Sequence, residues 1–445
     1  MRRFFVPLVL LAGGWTHAIA ANGAEILTLE SALNQALESN PMLRSAEAQT
    51  QQTSAQLKQA QGGLWPQLNL NYYYNKSDDP LDVFAARLRT RSVNTATDFT
   101  DNELNEPDEA TLETTRLGLN WPLYTGGQRL AGVAGARAVH NASLHNYRYS
   151  RALLRYQVTA AYRGLQATTE GLRIAGDAVT AAEAHVKTTR RLSRAGRIIK
   201  SDRLTAEVYL SRMQGGLEQA RLQQQQARYQ LASLINADTA LQTRLSAWTW
   251  PATSRSADEQ DMLTQAMAQR ADLKAAKAQT QAARANVRKS RGKLHPQIGI
   301  VANRDRMESD FGDGDSSSAG AYVQLNLFSG GSNYYGIKAQ QQALIQAEEQ
   351  LKQQRLRITQ EVRTVVSQQR IAAKRLQIAR ASINQARDAV TRVKRRYGQG
   401  RTILIDLLQA EGALVQTRTD ALAAALDYEL AQAAMKLVTG DGEAP

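Results

Sequence analysis

The chain has 445 residues, no cysteine and a formal net charge of +14 at pH 7. Without cysteine it forms no disulfide, no thiolate metal site and no acylated N-terminal cysteine. A basic excess of this size would suggest nucleic acid as the partner of a cytosolic protein. The first residues have the pattern of an export signal, however, so we predict no nucleic-acid partner. We expect the charge to lie on solvated helix faces.

Residues 1–20 have the three parts of a secretory signal peptide. Two arginines form the positive end, residues 4–12 form the apolar stretch, and Ala-Ile-Ala at 18–20 forms the cleavage site. The apolar stretch is too short to span a bilayer, and no later segment has about 18 consecutive apolar residues. We predict that the mature chain starts near Ala21, is exported and has no transmembrane helix. A closed β-barrel is the other structure that spans membranes.

The two halves of the chain repeat each other. Residues 33–68 align with residues 263–298 without a gap, and later blocks align at a separation of 204 residues. The motif Leu-Tyr-Thr-Gly-Gly at 123–127 recurs as Leu-Phe-Ser-Gly-Gly at 327–331. Two copies of one unit predict a pseudo-symmetric protomer. The predicted organisation is a signal peptide at 1–20, a first repeat at 21–236, a linker at 237–260 and a second repeat at 261–445.

Each repeat begins with a helix and continues with a hairpin. Residues 29–61 have apolar side chains at helical spacing and end at a Gly-Gly pair. The segments that follow alternate polar and apolar side chains, which is typical of half-exposed strands. Four strands are predicted, over residues 67–72, 117–123, 297–302 and 321–327.

Polar segments connect the two strands of each hairpin. The stretch from Pro66 to Gly126 is 26 residues longer than the stretch from Pro296 to Gly330 (60 against 34). We predict that this insertion is an exposed, solvated loop, because surface loops tolerate added length. Residues 310–318 are predicted to form the shorter loop of the second hairpin.

The rest of each repeat predicts unusually long helices. Apolar residues step by three and four from Leu376 to Tyr397, and the same register occurs 204 residues earlier. Sustained spacing of about 3.5 residues argues for coiled-coil packing. A single helix over Ser332–Tyr397 would be about 100 Å long. A return helix with a stripe of small residues follows each long helix.

Four strands cannot close a barrel, since barrels of this kind begin at about eight strands. Strands in a membrane would therefore be pooled from several copies, eight from two or twelve from three. Aromatic residues near the strand ends are typical of an interfacial girdle in outer-membrane lipid. A soluble hairpin packed on helices is the alternative. The girdle candidates are Trp65, Tyr72, Trp121, Tyr124, Tyr322 and Phe328.

In order and spacing, these motifs resemble the TolC family of outer-membrane efflux proteins. The resemblance covers nearly all of the mature chain. The residues that carry it are the Pro-Gln pairs at the first strand of each hairpin, the Gly-Gly pairs above, Tyr397-x-x-Gly400, and Asp406-Leu-Leu-x-Ala410. No single motif is specific to the family, but the order and spacing of the motifs are.

The resemblance implies a homotrimer with a mainly α fold and a membrane β-barrel part. Long antiparallel coiled-coil helices would form an α-barrel, and four strands per protomer would contribute to a 12-stranded barrel. The location would be the outer membrane of a Gram-negative-type envelope, with a periplasmic helical extension.

The implied function is a passive exit duct of a tripartite efflux or type I secretion system. A periplasmic adaptor (membrane fusion) protein and an inner-membrane transporter would be its partners. No Ser/His/Asp, Walker or GxGxxG constellation occurs where chemistry would need it. We therefore predict no enzyme activity, cofactor or metal. A non-porous periplasmic or surface coiled-coil scaffold is the alternative.

Two helix–turn–helix tips are predicted, at residues 195–198 and 398–402. Glycine permits the sharp reversal that bulkier residues resist. The resemblance implies that the tips form the periplasmic mouth and contact the adaptor, whereas a turn without a partner is the alternative. The contacting residues would be Gly196, Arg197, Ile198, Gly400, Arg401 and Thr402.

Asp202 and Asp406 lie six residues beyond the tip glycines, near the start of the return helices. The helix macrodipole favours a carboxylate there, whether or not a gate exists. In a trimer each aspartate would form a ring of three that attracts cations. The resemblance assigns the periplasmic gate to Asp202, Asp406 and Tyr397.

Two positions depart from the family pattern. Gln409 stands where the family has a second acid, and Thr402 stands where it has an arginine. We expect Arg401 to substitute for that arginine and to belong to the gate.

The long helix of the second repeat is strongly basic. Between residues 362 and 405, eleven lysine and arginine side chains accompany one acid, Asp388. A solvated outer face explains this pattern, and so does a lumenal face that reduces cation selectivity.

Overall fold

The computed structural model describes residues 26–196, 198–237, 244–253 and 258–441. The predicted signal peptide and the predicted tip residue Arg197 lie outside the described residues, as does part of the predicted linker. Within these ranges, no helix combines the length and the apolar character needed to cross a membrane.

The secondary structure runs twice through the same order. The first half contains α1 (Leu29–Ser39), α2 (Pro41–Gly62), β1 (Gln67–Ser77), α3 (Pro80–Arg89), α4 (Asp101–Asn105), β2 (Ala110–Thr125), α5 (Gln128–Arg194) and α6 (Lys200–Leu234). The second half contains α7 (Glu259–Gln269), α8 (Ala271–Gly292), β3 (Gln297–Ser309), β4 (Gly312–Gln324), α9 (Ser332–Gly398) and α10 (Leu404–Thr439).

Equivalent helices have almost equal lengths. The first helices have 11 residues each, the second 22 each, the long helices 67 each, and the return helices 35 and 36. At 1.5 Å per residue the long helices are about 100 Å in length, as the periodicity predicts. Helices α3 and α4 have no counterpart in the second half.

The helix predicted over residues 29–61 is divided in two. Pro41 is the first residue of α2, because a proline ring cannot continue a helix from the preceding turn. Asn40 caps α2 by accepting from the Met42 N–H at 2.9 Å, and its Nδ2 donates to the Leu234 carbonyl at 2.8 Å. Asn40, at the break between α1 and α2, therefore attaches these helices to the end of α6.

One antiparallel sheet contains all four strands, in the order β1-β2-β3-β4. Each predicted strand is present, and each is longer than or shifted from its prediction. The loop predicted at residues 310–318 is wrong, since Ser309 pairs with Gly312 and the following residues belong to β4. Glycine, serine and aspartate have low strand propensity, but pairing with β3 overrides it.

The insertion is exposed over most of its length, as predicted, but the prediction that it is a loop throughout is wrong, because it contains α3 and α4. Helix α3 folds back on the sheet, where Ala86 contacts Leu112 and Met307. The Arg87 guanidinium contacts the Asp98 carboxylate, pairs with Glu103 at 2.7 Å and lies 4.3 Å from the centre of the Phe311 ring. The Asn94 N–H, which donates to Asp98, is the largest cause that lowers the pKa of this buried carboxyl.

The two faces of the sheet differ in polarity. Directly paired residues of antiparallel strands share a face, so the register divides the side chains into two sets. One set, the apolar face, includes Leu68, Leu70, Leu117, Leu119 and Ala302 on the half nearest the long helices. The far half of the same face has charged side chains, among them Glu113, Arg304 and Arg306. The other set, the polar face, includes Asn69, Asn71, Asn303 and the Arg116–Asp305 ion pair at 2.8 Å. Helix α3 packs on the polar face.

The return helices lie beside the long helices and place α5 and α10 together. Helix α5 packs against both α6 and α10, and α9 packs against α10. One buried cluster joins α5 to α1 and α6 through Leu154, Tyr162 and Leu231. Another joins α7, α8, α9 and α10 and includes Met262 and Ile358. The four helices thus run side by side in the order α6-α5-α10-α9.

Candidate functional site: the helical tips

Both predicted reversals are present and use glycine in the left-handed region. Gly196 has φ +66° and Gly400 has φ +69°. The Gly400 N–H donates to the Tyr397 carbonyl at 3.0 Å, and the Gly196 N–H donates to the Ser193 carbonyl at 3.0 Å. These bonds satisfy carbonyls that the helix ends would leave free. The two hairpins, α5–α6 and α9–α10, therefore turn in the same way.

The structure brings Asp202 and Tyr397 together from different halves of the chain. Asp202 is the third residue of α6, where the helix macrodipole favours its charge. Tyr397 is in the last turn of α9 and is half-buried. Its pKa is raised, first by burial and then by the nearby Asp202 charge. The Asp202 charge of the first hairpin therefore acts on Tyr397 of the second.

Asp406 has a different partner. The Thr402 hydroxyl donates to the Asp406 carboxylate across the start of α10. Arg401 is exposed and forms no ion pair within the described part of the chain. Thr402, rather than Arg401, is thus the residue that contacts this aspartate in the protomer.

An apolar cluster lies directly above the tips, and we call it the tip cluster. It is built from α5, α6 and α10, with Tyr397 of α9 at its edge. Its buried members are Val186, Ala206, Leu404 and Leu408, and Tyr209, Leu210 and Tyr397 pack against them.

Polar contacts between α5 and α10 are spread along their length. Arg163 pairs with Glu429 at 3.5 Å, and Asp177 pairs with Arg418 at 3.7 Å. Closest to the tips, His185 Nε2 and Glu411 Oε2 are 2.7 Å apart. Sequence reasoning missed His185, because a single histidine on a helix carries no local signal for a partner 226 residues away.

The basic residues of α9 lie mainly at the protomer surface. Arg363 pairs with Glu259 at 3.1 Å, and Arg380 donates to the Pro251 carbonyl. The others between residues 370 and 401 are exposed. Among the described residues, no group of three or more histidine, aspartate and glutamate side chains could hold a metal ion.

The girdle candidates divide between the faces of the sheet. Tyr72, Trp121 and Tyr124 belong to the apolar face, the last after a bulge between Pro122 and Tyr124. Tyr322 pairs with Gly299 and belongs to the polar face. The remaining two, Trp65 and Phe328, lie outside the strands and are 70% and 87% exposed.

The fold is that of solved outer-membrane channels. It matches the *Campylobacter jejuni* CmeC outer membrane channel with a TM-score of 0.81 and 15% identity, over 93% of this chain and 86% of that one. It matches the open state of the *Neisseria gonorrhoeae* MtrE outer membrane channel with a TM-score of 0.75 and 20% identity, over 93% and 88% of the two chains.

Sequence comparison identifies the family. Residues 32–237 and 262–441 match the family of outer membrane efflux proteins, and the chain belongs to that family. It is 25% identical over 448 residues to the outer membrane efflux protein BepC of *Brucella suis* biovar 1 (strain 1330), covering 97% of this chain and 89% of that one. The protein is an outer-membrane efflux channel, so the predicted family, fold class and localisation are confirmed.

Proposed function

We propose that three copies of this chain close one 12-stranded barrel and serve as the passive exit duct of a tripartite efflux or type I secretion system. The unpaired edges of the sheet are the observation that carries the proposal. Among the described residues, strand β1 pairs only with β2 and β4 only with β3. Unpaired edges are not tolerated in lipid, so β1 of one copy pairs with β4 of the next.

The helices support the same assembly. In the order α6-α5-α10-α9, long and return helices alternate, and α9 of one copy beside α6 of the next continues the alternation. The outer helices have uncovered flanks: α6 buries only Ala206, Leu231 and Ala232, whereas α10 buries eleven residues. A ring of three copies covers those flanks.

The polarity of the sheet assigns its faces in this barrel. The leucine-bearing half of the apolar face contacts outer-membrane lipid, with Tyr72, Trp121 and Tyr124 at the lipid interface. The polar face lines the lumen, and Tyr322 and α3 lie on that side. Helix α3 therefore narrows the outer end of the duct.

The periplasmic gate is formed by Asp202, Asp406, Tyr397 and Arg401. Three copies bring these residues into rings around the axis, where aspartates attract cations. The tip cluster, with Tyr397 at its edge, holds the two hairpins together in the closed state. In this proposal the duct has no catalytic residue, cofactor or metal.

The tips are the surface that meets the periplasmic adaptor, through Gly196, Arg197, Ile198, Gly400, Arg401 and Thr402. An inner-membrane transporter supplies the energy, and nucleic acid is not a partner. The chain divides into a signal peptide (1–20), two repeats (21–236 and 261–445) and a linker (237–260).

Planar-bilayer recordings on protein extracted from outer membranes test the proposal. We expect discrete conductance steps, with an open-to-closed ratio about fivefold higher for Tyr397→Phe and Asp202→Asn, since each removes one polar group of the proposed gate, worth about 1 kcal/mol. Tyr334→Phe, an exposed residue near the sheet, is the control and should leave gating unchanged. Silence from every variant would favour the non-porous scaffold.

A further inference from the structure

Equivalent glutamates in the two halves have different partners. Glu207 and Glu411 are 204 residues apart, at matching positions of the return helices. Glu207 pairs inside its own hairpin, with Arg190 at 3.1 Å and Arg203 at 3.5 Å. Glu411 instead pairs with His185 of the other hairpin at 2.7 Å.

The neighbouring sequence makes this difference possible. Lys394 is the equivalent of Arg190, but it is exposed and forms no ion pair within the described ranges. The equivalent of His185 is Ala389, which cannot pair. A histidine–glutamate contact therefore forms between α5 and α10. The pseudo-equivalent contact, between α9 and α6, cannot form.

The His185–Glu411 contact is sheltered from solvent. Both side chains are 14% exposed, and the neighbouring Val186 is part of the tip cluster. Tyr209 packs on the same cluster, and burial and then the Glu411 charge raise the pKa of its hydroxyl. Sheltered, charge-assisted hydrogen bonds are stronger than exposed ion pairs.

The contact is also the one closest to the gate among the three named contacts between α5 and α10. The other two use Arg163 and Arg418, and arginine remains charged at all physiological pH values. Histidine is the side chain that ordinarily changes charge between pH 5 and 8. Of these three contacts between described residues, the one next to the tips is the one that contains a histidine.

We propose that His185 and Glu411 are a positioning pair for the periplasmic gate, which holds the α9–α10 hairpin against α5 and holds it less tightly when His185 loses its proton. The inference rests on the proposed gate. With a protonated His185 the pair is an ion pair, and with a neutral His185 only a neutral hydrogen bond remains. Acid pH thus favours the closed duct, and opening increases as pH rises.

The groups around His185 do not reverse this sign. Helix α10 contributes Glu411, α6 contributes Tyr209 with Arg212 close to it, and α9 contributes Tyr397 to the same cluster. On α5, Glu183 and Lys187 flank His185 with opposite charges. Side chains of these other types ordinarily titrate outside pH 5 to 8.

The test is the open-to-closed ratio in planar bilayers at pH 5.5 and pH 8.0. For the wild type we expect an increase of about three- to tenfold on going to pH 8.0, the difference between a charged and a neutral hydrogen bond. His185→Gln and Glu411→Gln should be open at both pH values. His185→Arg keeps a permanent cation and should be closed at both, which separates lost pairing from damaged folding.

Glu207→Gln is the matched control, because it removes the equivalent carboxylate and leaves the contact between hairpins intact. It should keep the pH response of the wild type. A wild-type pH response in Glu411→Gln, or the same loss of response in Glu207→Gln, would overturn the inference.

Tyr397→Phe separates this inference from the proposed gate. If Tyr397→Phe opens the duct and His185→Gln does not, the gate stands and the positioning pair is wrong. If neither variant changes conductance, the gate itself is wrong.

Discussion

The long helices α5 and α9 have the same length and related sequences but different neighbours. Over residues 173–194, α5 buries six side chains, Ile174, Ala178, Val179, Ala182, Val186 and Thr189. Over the equivalent residues 377–398, α9 buries none of its side chains in the protomer. Helix α5 lies between α6 and α10, whereas α9 lies at the edge beside α10.

This difference shows that duplication preserved the elements and changed their environment. The side chains of α9 from Ala379 to Tyr397 keep the apolar seam, but they are only half-buried. A seam without a full set of neighbours is the part of a hairpin that a second copy can cover. It is also the part that moves at the lowest cost in buried contacts.

The largest expected effect concerns equivalent leucines of the two return helices. Leu408 is 4% exposed in the tip cluster, and Leu204 is 46% exposed. Leu408→Ala should lower the free energy of local opening of the α9–α10 tip by about 2–4 kcal/mol. Hydrogen exchange of the α10 amides in the detergent-solubilised protein measures it.

Leu204→Ala is the matched substitution and should cost less than about 1 kcal/mol. If three copies form a ring, the equivalent cluster around Leu204 would contain Lys200 and Ser193. These residues take the positions that Leu404 and Tyr397 occupy in the tip cluster. Equal costs for both leucines would mean that a neighbouring copy covers Leu204 as fully as α5 covers Leu408.

The tip glycines should respond alike, in contrast to the leucines. Gly196→Ala and Gly400→Ala each place a Cβ at a left-handed φ, and nothing lies within 4 Å of either added atom. The cost is therefore the conformational strain alone, about 1 kcal/mol at each site. Hydrogen exchange at the two turns measures it, and unequal costs would show that one turn is already strained by its environment.

The smallest expected effects are changes in the pKa of two tyrosines. Burial and then Asp202 raise the pKa of Tyr397, and burial and then Glu411 raise that of Tyr209. Asp202→Asn should lower the pKa of Tyr397 alone, and Glu411→Gln that of Tyr209 alone. NMR of 13C-labelled tyrosine measures both titrations.

The sign of the linked stability follows from these raised values. Each tyrosine contributes stability that is complete below its ordinary pKa of about 10 and is lost as pH rises through the raised folded value. Asp202→Asn should therefore make the tip less sensitive to alkaline pH. A shift of both tyrosines in either variant would contradict two separate contacts between the hairpins.

Much of the helical fold was predictable because its signals are local. Apolar steps of three and four residues specify long helices wherever they occur, and both tip reversals follow from Gly196 and Gly400. The strands were harder to bound. Residues 312–318 carry no strand signal, and they form β4 because β3 offers a complete row of backbone partners.

For the candidate site, the sequence indicated positions but not partners. The motifs pointed to Asp202, Asp406 and Tyr397, and the structure places Tyr397 close to Asp202 and Thr402 against Asp406. We expected Arg401 to replace the family arginine that would stand one residue later, at Thr402. Sequence spacing alone does not show whether a side chain can make that replacement within a turn.

By itself the sequence determined an exported, duplicated chain of long helices and two hairpins, because periodicity and turn residues act within a few positions of each other. Only the tertiary structure decided that α5 lies inside and α9 at the edge, that α3 packs on the polar face, and that Glu411 contacts His185. These contacts depend on which return helix packs against which long helix. Two equivalent return helices offer nearly the same surface, and the packing of the whole chain selects between them.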